Sequence, residues 1–304
     1  MTGTVHRPLE LPVLPRRLSR RVRRHETTPR RRQRRRGRLN KDLHDDHVAK
    51  SARPSRLQGQ KKWLQLHVDT PSEASAAVEA GITILSCEPD HNLEGIRRSA
   101  PSAFLSAGMP HGAVSSPTEA IRLGFDILHR GADAVYCSQS PYFIEAMARE
   151  GIPVTGHVGL VPNLATWTGF RAVGRTADEA VRVVQAVKDL ENAGAACIEV
   201  EVVPVELADH ITRTTPMLTM GMGCGTVCDT QYLFSSDVLG TNTGRYPRHA
   251  KKYADFLAIE ADLHNRRVAA FQSFAADVTA GTFPAAGHEV RMTSVEYERF
   301  LGLV

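Results

Sequence analysis

The residues best suited to chemistry lie in segment 198–205, which reads IEVEVVPV. Glu199 and Glu201 interrupt an otherwise apolar run, and because side chains alternate along a strand, both fall on the same face. Pro204 follows at once and can open a helix. Burial raises the pKa of a carboxyl, and a carboxylate tuned in this way suits abstraction of a proton next to a carbonyl. Glu201 is therefore the candidate catalytic base; the alternative is a structural carboxylate paired with an arginine.

His157 is the main candidate for binding a substrate. It lies in segment 156–163 (GHVGLVPN), where two glycines are expected to let the backbone approach a ligand closely. A neutral imidazole there could donate a hydrogen bond to a substrate oxygen, or the residue could be purely structural. Ser138, at the end of a predicted strand, and His111, in a glycine-containing loop, are weaker candidates for the same role.

Two pairs of residues have types and spacings that could indicate a metal-binding site. Glu88 and Asp90 lie two apart in SCEPD and offer the oxygen ligands that Mg²⁺ prefers. Cys224 and Cys228 lie four apart, which could suggest a soft-metal site but is not the spacing of a zinc knuckle. Small apolar filling of the core is the better account of the cysteines. Glu88 and Asp90 remain the candidate metal ligands.

These side chains need elements that bring them together. From Trp63 onward, short apolar runs alternate with helical patterns, which is typical of βαβ units. The predicted strands are residues 63–68, 82–88, 103–108, 134–138, 153–158, 195–202, 217–222 and 237–242. The predicted helices include residues 71–80, 117–130, 140–149, 177–193 and 204–214. Eight strands with intervening helices indicate an α/β fold, a (β/α)₈ TIM barrel, with chemistry at the carboxyl ends of the strands. An open doubly wound sheet is the alternative, but the GxGxxG turn it would carry after strand one is absent.

The strand ends then define one candidate site. The polar residues expected to face it are His67, Asp69, Glu88, Asp90, Ser138, His157, Glu201 and Asn242. The segment GMGCG after strand seven is where such a barrel commonly binds an anion or carboxylate.

Charge is distributed unevenly and indicates a tail. Thirteen arginines and one acid between residues 16 and 38 give that stretch +12, so the remainder of the chain carries −7. We predict a disordered Arg-rich tail over 1–60, a catalytic barrel over 61–285 and a C-terminal helical tail over 286–304, in which Thr293 and Glu296 have capping-box spacing. The arm could bind nucleic-acid phosphates, but it lacks interleaved aromatics for base stacking. A nucleic-acid partner is therefore not expected.

Composition also bears on the compartment. The five cysteines are an odd number in a long chain, which argues against a disulfide framework and favours a reducing cytoplasm. No apolar run approaches the roughly 18 to 20 residues that span a bilayer, so no membrane association is expected.

Several segments resemble the ketopantoate hydroxymethyltransferase family. They are 153–163 (PVTGHVGLVPN), 174–180 (GRTADEA), 201–208 (EVVPVELA), 221–231 (GMGCGTVCDTQ) and 247–253 (PRHAKKY). The similarity is specific over about 150–285 and fainter over 61–149. It implies a phosphoenolpyruvate/pyruvate-type barrel, forming a homo-oligomer, that binds 3-methyl-2-oxobutanoate through Mg²⁺. The expected reaction takes a one-carbon unit from 5,10-methylenetetrahydrofolate for pantothenate synthesis. The resemblance assigns the base to Glu201 and the histidine of a GHLGL-like strand end to His157.

The first half departs from that family. Where its members carry metal-binding aspartates in VGDS-like and ADLPF-like turns, this chain has SCEPD and SAGMP, and YCSQ replaces a KIEGG-like segment with its lysine and glutamate. Glu88 falls next to the first aspartate and can replace it; Gly108, Tyr136 and Ser138 cannot replace the others. The sequence therefore leaves open a paralogue with lyase- or aldolase-type activity on another 2-oxoacid, or a barrel without catalysis.

Overall fold

The eight strands form a closed parallel barrel. The computed structural model describes residues 62–244 and 246–304, so the predicted tail over 1–60 lies outside the described residues. In order around the barrel, the strands are β1 Trp63–His67, β2 Ile84–Cys87, β3 Phe104–Gly108, β4 Ala134–Tyr136, β5 Val154–Gly159, β6 Cys197–Glu201, β7 Leu218–Met222 and β8 Thr230–Phe234. Parallel pairing between β8 and β1 closes the ring. The predicted (β/α)₈ barrel is confirmed.

Helices connect the strands and begin at polar caps. They are α1 Pro71–Glu79, α2 Leu93–Ser99, α3 Pro117–His129, α4 Pro141–Arg149, α5 Ala165–Thr168, α6 Ala177–Asn192, α7 Val205–Thr214 and α8 Ser235–Leu239. Thr70, Ser116 and Thr176 cap α1, α3 and α6, each accepting a hydrogen bond from the backbone N–H three residues on. Such caps satisfy amide groups that have no partner within the helix.

The eighth strand lies earlier in the chain than predicted. The prediction over 237–242 is wrong, because β8 is the segment TQYLF at 230–234 and residues 235–239 form α8. Only residues 223–229 separate β7 from β8, so the usual crossover helix is missing there. Asn242 consequently lies in a loop, where its side-chain amide donates to Asp237, and not at a strand end.

The barrel has an apolar outer shell and a polar interior. Outward-facing residues such as Leu85, Leu105 and Val135 are essentially inaccessible beneath the helices. At the amino-terminal end of the barrel, Trp63 packs among inward-facing apolar residues. Closer to the carboxyl ends, the inward positions carry polar groups, and this is where a barrel places its chemistry.

The chain ends in two exposed helices, α9 Phe256–Ala280 and α10 Ser294–Leu301. Thr293 caps α10 by accepting from the backbone N–H of Glu296. Every residue from 255 to 304 is exposed. Among the described residues, no helix is both long and apolar enough to cross a membrane.

A buried arginine ties α2 to the strands beside it. Arg97 pairs with Asp133 and donates to the backbone carbonyls of Gly131 and Ala103. We expect Arg97→Ala to destabilise the protein by about 3–5 kcal/mol, because it leaves a buried carboxylate and several carbonyls unpaired. Urea unfolding monitored by circular dichroism measures this. Arg149→Ala is the control, since it breaks an exposed pair with Glu145 and should change stability by no more than about 0.5 kcal/mol. Equal losses in the two variants would contradict the argument.

Candidate active site

Hydrogen-bonded polar side chains fill the upper interior of the barrel. Thr230 donates to Gln65 at 3.2 Å, and the hydroxyls of Ser86 and Tyr232 lie 2.9 Å apart. On the opposite side, the Tyr136 hydroxyl lies 2.6 Å from Nδ1 of His157. Because burying a polar group is unfavourable unless it is hydrogen-bonded, this interior is built to hold polar chemistry and not simply to fill space.

Glu201 and His157 meet at the carboxyl ends of adjacent strands. In the pairing of β5 with β6, His157 lies beside Glu199 and Gly159 beside Glu201. Nε2 of His157 lies 3.2 Å from Oε2 of Glu201. The imidazole is 1% exposed and the Glu201 side chain 13% exposed. Glu201 therefore reaches towards the mouth, and His157 supports it from below.

Backbone geometry brings these two strand ends close together. Gly159 has a positive φ of 94°, and a Cβ there would collide with the carbonyl oxygen of Glu201. Leu160 N–H donates to that same carbonyl at 2.9 Å. The expectation that the glycines of GHVGL make room for a ligand is thus corrected: Gly159 makes room for the backbone of Glu201, and Gly156 for the side chain of Leu190.

The residue after the candidate base has a strained backbone. Val202 has φ of 48°, a left-handed conformation that a β-branched residue rarely adopts. It is held there because its N–H donates to Met222 and its carbonyl accepts from Val173. Strain of this kind persists only where the surroundings enforce it and is common at functional sites. It turns the chain sharply after Glu201.

Burial and neighbouring charge shift the protonation of this cluster. The pKa of Glu199 is raised to about 7, chiefly by burial; the charge of Glu201 adds to the rise, while His157 and His67 oppose it. Burial alone would lower the pKa of His157, but Glu199 and Glu201 outweigh it and the pKa is raised. Burial also raises the pKa values of Tyr136 and Tyr232. Near neutral pH the cluster therefore combines an imidazole inclined to carry charge, one readily protonated carboxyl and two neutral phenols.

The same cluster offers metal ligands. Ligand atoms of His157, Glu199 and Glu201 lie within 4.8 Å of one another, and they are the one such group of three found among the described residues. Nε2 of His157 has no hydrogen-bond partner there, since its contact with Glu201 lacks hydrogen-bond geometry. One imidazole and two carboxylates suit a divalent transition metal better than Mg²⁺, which prefers oxygen ligands throughout.

The predicted metal ligands on β2 do not converge with this group. Glu88 follows β2 and its carboxylate lies near Gly108, 3.5 Å from where a Cβ on that glycine would be. Asp90 instead accepts from the backbone N–H of Asn92 and lies 3.9 Å from His91. Neither belongs to a three-ligand cluster of the described chain, and their metal role stays a prediction.

The remaining predicted residues divide between the mouth and the periphery. Ser138 accepts a hydrogen bond from Asn163 at 2.8 Å. His67 lies under the ring of Phe234, with Nε2 3.5 Å from Asp69. His111 is exposed in the loop after β3. Substrate contacts of Ser138 and His111 stay predictions.

A broad cavity opens beside Glu201, and its cationic wall was missed from the sequence. The cavity has a volume of about 1210 Å³. Besides Glu201, its lining includes Arg171, Arg175, Arg248 and His249. Arg171 is paired with Glu179. The segments GRTADEA and PRHAKKY contain Arg175, Arg248 and His249, but the pattern alone gave no reason to bring them to one wall.

Fold and site together define a (β/α)₈ barrel with a carboxylate, that of Glu201, at its mouth. The family model for ketopantoate hydroxymethyltransferase matches residues 71–286. A 3-methyl-2-oxobutanoate hydroxymethyltransferase of Chloroflexus aurantiacus is 35% identical over 216 residues, covering 70% of this chain and 74% of that protein. One from Streptomyces coelicolor is 34% identical over 198 residues, covering 64% and 66%. The chain belongs to the ketopantoate hydroxymethyltransferase family and is a transferase enzyme. A solved structure of 2,3-dimethylmalate lyase, from the PEP mutase/isocitrate lyase superfamily, aligns with a TM-score of 0.46 at 14% identity, covering 88% of this chain and 95% of that one.

The raised pKa of Glu199 predicts a pH-dependent stability. Since the folded protein holds this proton more tightly than the unfolded chain does, the stabilising contribution is complete below about pH 4.5 and is lost as the pH rises through about 7. We expect the stability of the wild type to fall, relative to Glu199→Gln, by up to about 3 kcal/mol between pH 5 and pH 8. Urea unfolding at intervals across that range measures the difference.

The exposed Glu206 provides the control for this measurement. Glu206→Gln should give a stability profile parallel to that of the wild type at every pH. The groups that face Glu199 are His157, Glu201 and His67, with Tyr136 and Tyr232 nearby. Parallel profiles for Glu199→Gln and the wild type would show that the buried carboxyl does not titrate in this range.

Proposed function

We propose that the protein removes the C3 proton of a branched 2-oxoacid, 3-methyl-2-oxobutanoate, and joins the resulting carbanion to a one-carbon unit. The observation that carries this proposal is the placing of Glu201: its carboxylate reaches the cavity at the end of β6 while His157 contacts it from the buried side. A base must reach the proton it abstracts, and here only the carboxylate of the pair faces the cavity.

His157 and Tyr136 prepare the base in this mechanism. Glu199 and Glu201 outweigh burial and raise the pKa of His157, so that a charged imidazole lies beside the carboxylate that accepts the proton. The Tyr136 hydroxyl at Nδ1 fixes the ring so that Nε2 faces the carboxylate. Glu201 takes the C3 proton, and the C–H electron pair enters the enolate. C3 then bonds to the methylene carbon of the carrier, both C–N bonds of that carbon break, and water supplies the hydroxyl oxygen. The two nitrogen atoms of the departing tetrahydrofolate take up the proton held by Glu201 and one proton of the water. His157 acts on the base; the direct contact with substrate predicted from the sequence stays a prediction.

The Mg²⁺ expected from the family does not fit the residues present. When bound to a 2-oxoacid, such an ion stabilises the enolate as a Lewis acid. The residues at the positions where the resemblance predicts metal ligands are Glu88, Gly108, Tyr136 and Ser138, and of these four Glu88 alone carries a carboxylate. That set falls short of the oxygen ligands that Mg²⁺ requires, and no step proposed here depends on the metal.

The size and charge of the cavity support a large anionic co-substrate. A volume of about 1210 Å³ exceeds the roughly 300–1,000 Å³ typical of small-ligand sites, so a small oxoacid would fill only part of it. Arg175 and Arg248 on the wall suit carboxylates, and Phe170 and Tyr246 add aromatic surface. These features are those expected for 5,10-methylenetetrahydrofolate, with its ring system and its glutamate carboxylates.

Hydrogen exchange at C3 tests the base directly. In D₂O, the wild type should exchange the C3 proton of 3-methyl-2-oxobutanoate for deuterium, as followed by proton NMR. We expect Glu201→Gln to slow this exchange by about 10²–10⁴-fold, because the amide cannot accept the proton. The assay is run both with added divalent cation and with chelator, so that it does not presuppose a metal.

Matched controls make this result decisive. Glu206→Gln, five residues away on α7, should exchange as fast as the wild type. Absence of exchange in the wild type under all metal conditions rules out 3-methyl-2-oxobutanoate as the substrate. If other 2-oxoacids exchange instead, the protein is a paralogue that acts on another 2-oxoacid. If Glu201→Gln exchanges as fast as the wild type, another group is the base.

The cationic wall predicts a separate effect on the co-substrate. Arg248→Ala should raise the KM for 5,10-methylenetetrahydrofolate by roughly 10- to 100-fold, because a charge-assisted hydrogen bond contributes about 1.5–3 kcal/mol. Arg248 takes no part in removing the C3 proton, so exchange on the oxoacid should persist. Arg213→Ala on α7 removes an arginine that pairs with Asp209 outside the cavity, and its KM should be unchanged. If Arg248→Ala had the same KM as the wild type, the cationic wall would not be part of the folate-binding site.

A pantothenate-pathway role and a cytoplasmic location follow from this proposal and remain predictions. Rescue of a pantothenate-requiring bacterium that lacks its own enzyme would support the pathway.

A further inference from the structure

Three ionisable side chains on β5 and β6 lie close enough together to share one ion. Their ligand atoms, Nε2 of His157 and one carboxylate oxygen each of Glu199 and Glu201, all lie within 4.8 Å of one another. Nε2 lies 3.2 Å from Oε2 of Glu201, and two ligands of a tetrahedral ion with bonds of about 2.0–2.1 Å lie about 3.3 Å apart. Rotation about the side-chain bonds of Glu199 can bring the third ligand to the same distance. We call these three side chains the His–Glu–Glu cluster.

The histidine of this cluster has one nitrogen oriented by a partner and the other left for a ligand. The Tyr136 hydroxyl lies 2.6 Å from Nδ1 of His157. When Nδ1–H donates to that hydroxyl, Nε2 carries the lone pair, and metal-binding histidines commonly have such a partner on their second nitrogen. Nε2 itself has no hydrogen-bond partner among the described residues, although the imidazole is only 1% exposed. A buried nitrogen of this kind, beside two carboxylates, is suited to bind a cation.

The charges in the barrel interior also favour a cation at this position. Glu199 is buried beside His157 on the neighbouring strand, two residues before Glu201. The groups whose charge acts on Glu199 are His157, Glu201 and His67, and none of these is an arginine or a lysine. Buried carboxylates are unfavourable unless they are paired with a cation or coordinate a metal. One divalent ion compensates both carboxylates, whereas one protonated imidazole compensates only one.

We propose that His157, Glu199 and Glu201 bind a divalent transition-metal ion such as Zn²⁺ or Co²⁺, with a further coordination position open to the cavity. The mixture of nitrogen and oxygen ligands favours such an ion over Mg²⁺, which prefers oxygen ligands throughout. Glu201 lines the cavity, so the ion has a path of entry. The site is distinct from the Mg²⁺ site that the family resemblance implies, because that site would lie at the ends of β2, β3 and β4.

A bound ion competes with proton abstraction for the carboxylate of Glu201. Coordination of a divalent cation stabilises the ionised form of a carboxylate, which makes that carboxylate a weaker base. This consequence rests on the proposed function, since it requires Glu201 to be the base. The protein with an empty His–Glu–Glu cluster is then the form that exchanges the C3 proton, and the protein with an occupied cluster is an inhibited form.

Binding of Co²⁺ to the full-length protein is the first test. A Co²⁺ ion with four or five ligands absorbs visible light far more strongly than the hydrated ion, so titration of the chelator-treated protein reports the occupied cluster. Tyr136→Phe keeps all three ligands and should weaken binding by roughly 10- to 100-fold, as is typical when an outer hydrogen-bond partner is lost. His157→Ala and Glu199→Gln each remove a ligand and should weaken binding by more than that.

Matched controls separate the cluster from other places where an ion could bind. His210→Ala and Glu206→Gln remove exposed residues of the same two types from α7, and both should bind Co²⁺ as the wild type does. Zn²⁺ should displace Co²⁺ from the wild type, whereas millimolar Mg²⁺ should not. Circular dichroism confirms that each variant is folded, and Tyr136→Phe and Glu199→Gln keep the test available if His157→Ala does not fold.

Inhibition of exchange is the second test. With 3-methyl-2-oxobutanoate in D₂O, one equivalent of Zn²⁺ should slow C3 exchange by the wild type at least about 10-fold, because the ion occupies the carboxylate that takes the proton. Chelator should restore the original rate. Glu199→Gln should keep its own metal-free rate at the same Zn²⁺ concentration, because it binds the ion less tightly. His210→Ala should be inhibited as the wild type is.

Several outcomes would overturn the proposal. Unchanged Co²⁺ binding by His157→Ala and Glu199→Gln shows that the ion binds elsewhere. Loss of binding in Glu88→Gln, with Glu199→Gln unaffected, places the ion at the ends of β2 to β4 instead. Exchange that is not slowed when Co²⁺ fills the cluster shows that Glu201 is not a ligand. Absence of exchange in the metal-free wild type counts against the proposed function alone, because the Co²⁺ absorption does not involve the reaction.

Discussion

The ion pair between His157 and Glu201 is the constraint on which the site depends. Charged groups are expensive to bury unless each has a partner and further hydrogen bonds, and Tyr136 provides one on the far side of the ring. The distance between the pair is set by backbone: Gly159 permits close approach to Glu201, and the strained turn at Val202 ends the strand there. Any change that separates these strand ends leaves a buried charge without compensation.

The ionisable residues near the ends of β4 and β6 also limit how much charge this interior can hold. Tyr136 ends β4 and Ser138 follows two residues later, at positions where the resemblance predicted a lysine and a carboxylate. The carboxyl of Glu199 lies two residues before Glu201 on the same strand, beside His157. Burial makes it costly for three neighbouring ionisable groups to be charged together, and the raised pKa of Glu199, about 7, favours a proton on that carboxyl below neutral pH. Proton uptake balances charge in this interior.

The sequence predicted the barrel and the position of a carboxylate at its mouth, because both depend on local patterns. Alternating apolar runs identified seven strands, and the strand pattern before PVELA placed Glu201 at a strand end. The eighth strand was missed because 237–242 resembles a strand in composition, while TQYLF follows β7 after only a short turn. The contact of Tyr136 with His157 and the wall that includes Arg175 and Arg248 join segments distant in sequence. Such pairings depend on barrel closure and register, which no local pattern encodes.

The short connection between β7 and β8 links the site to the exposed C-terminal helices. Because residues 223–229 contain no helix, this loop can place Gly223 and Gly225 on the cavity wall. The connection also supplies no helix to pack on the outside of the barrel there. After β8, the chain runs along the cavity before α9 begins, so it furnishes Tyr246 and Arg248 to the cavity wall, while Leu64 on the outer face of β1 stays 44% exposed. The wide cavity at the mouth and the incomplete layer of outer helices therefore both result from the course of the chain between β7 and α9.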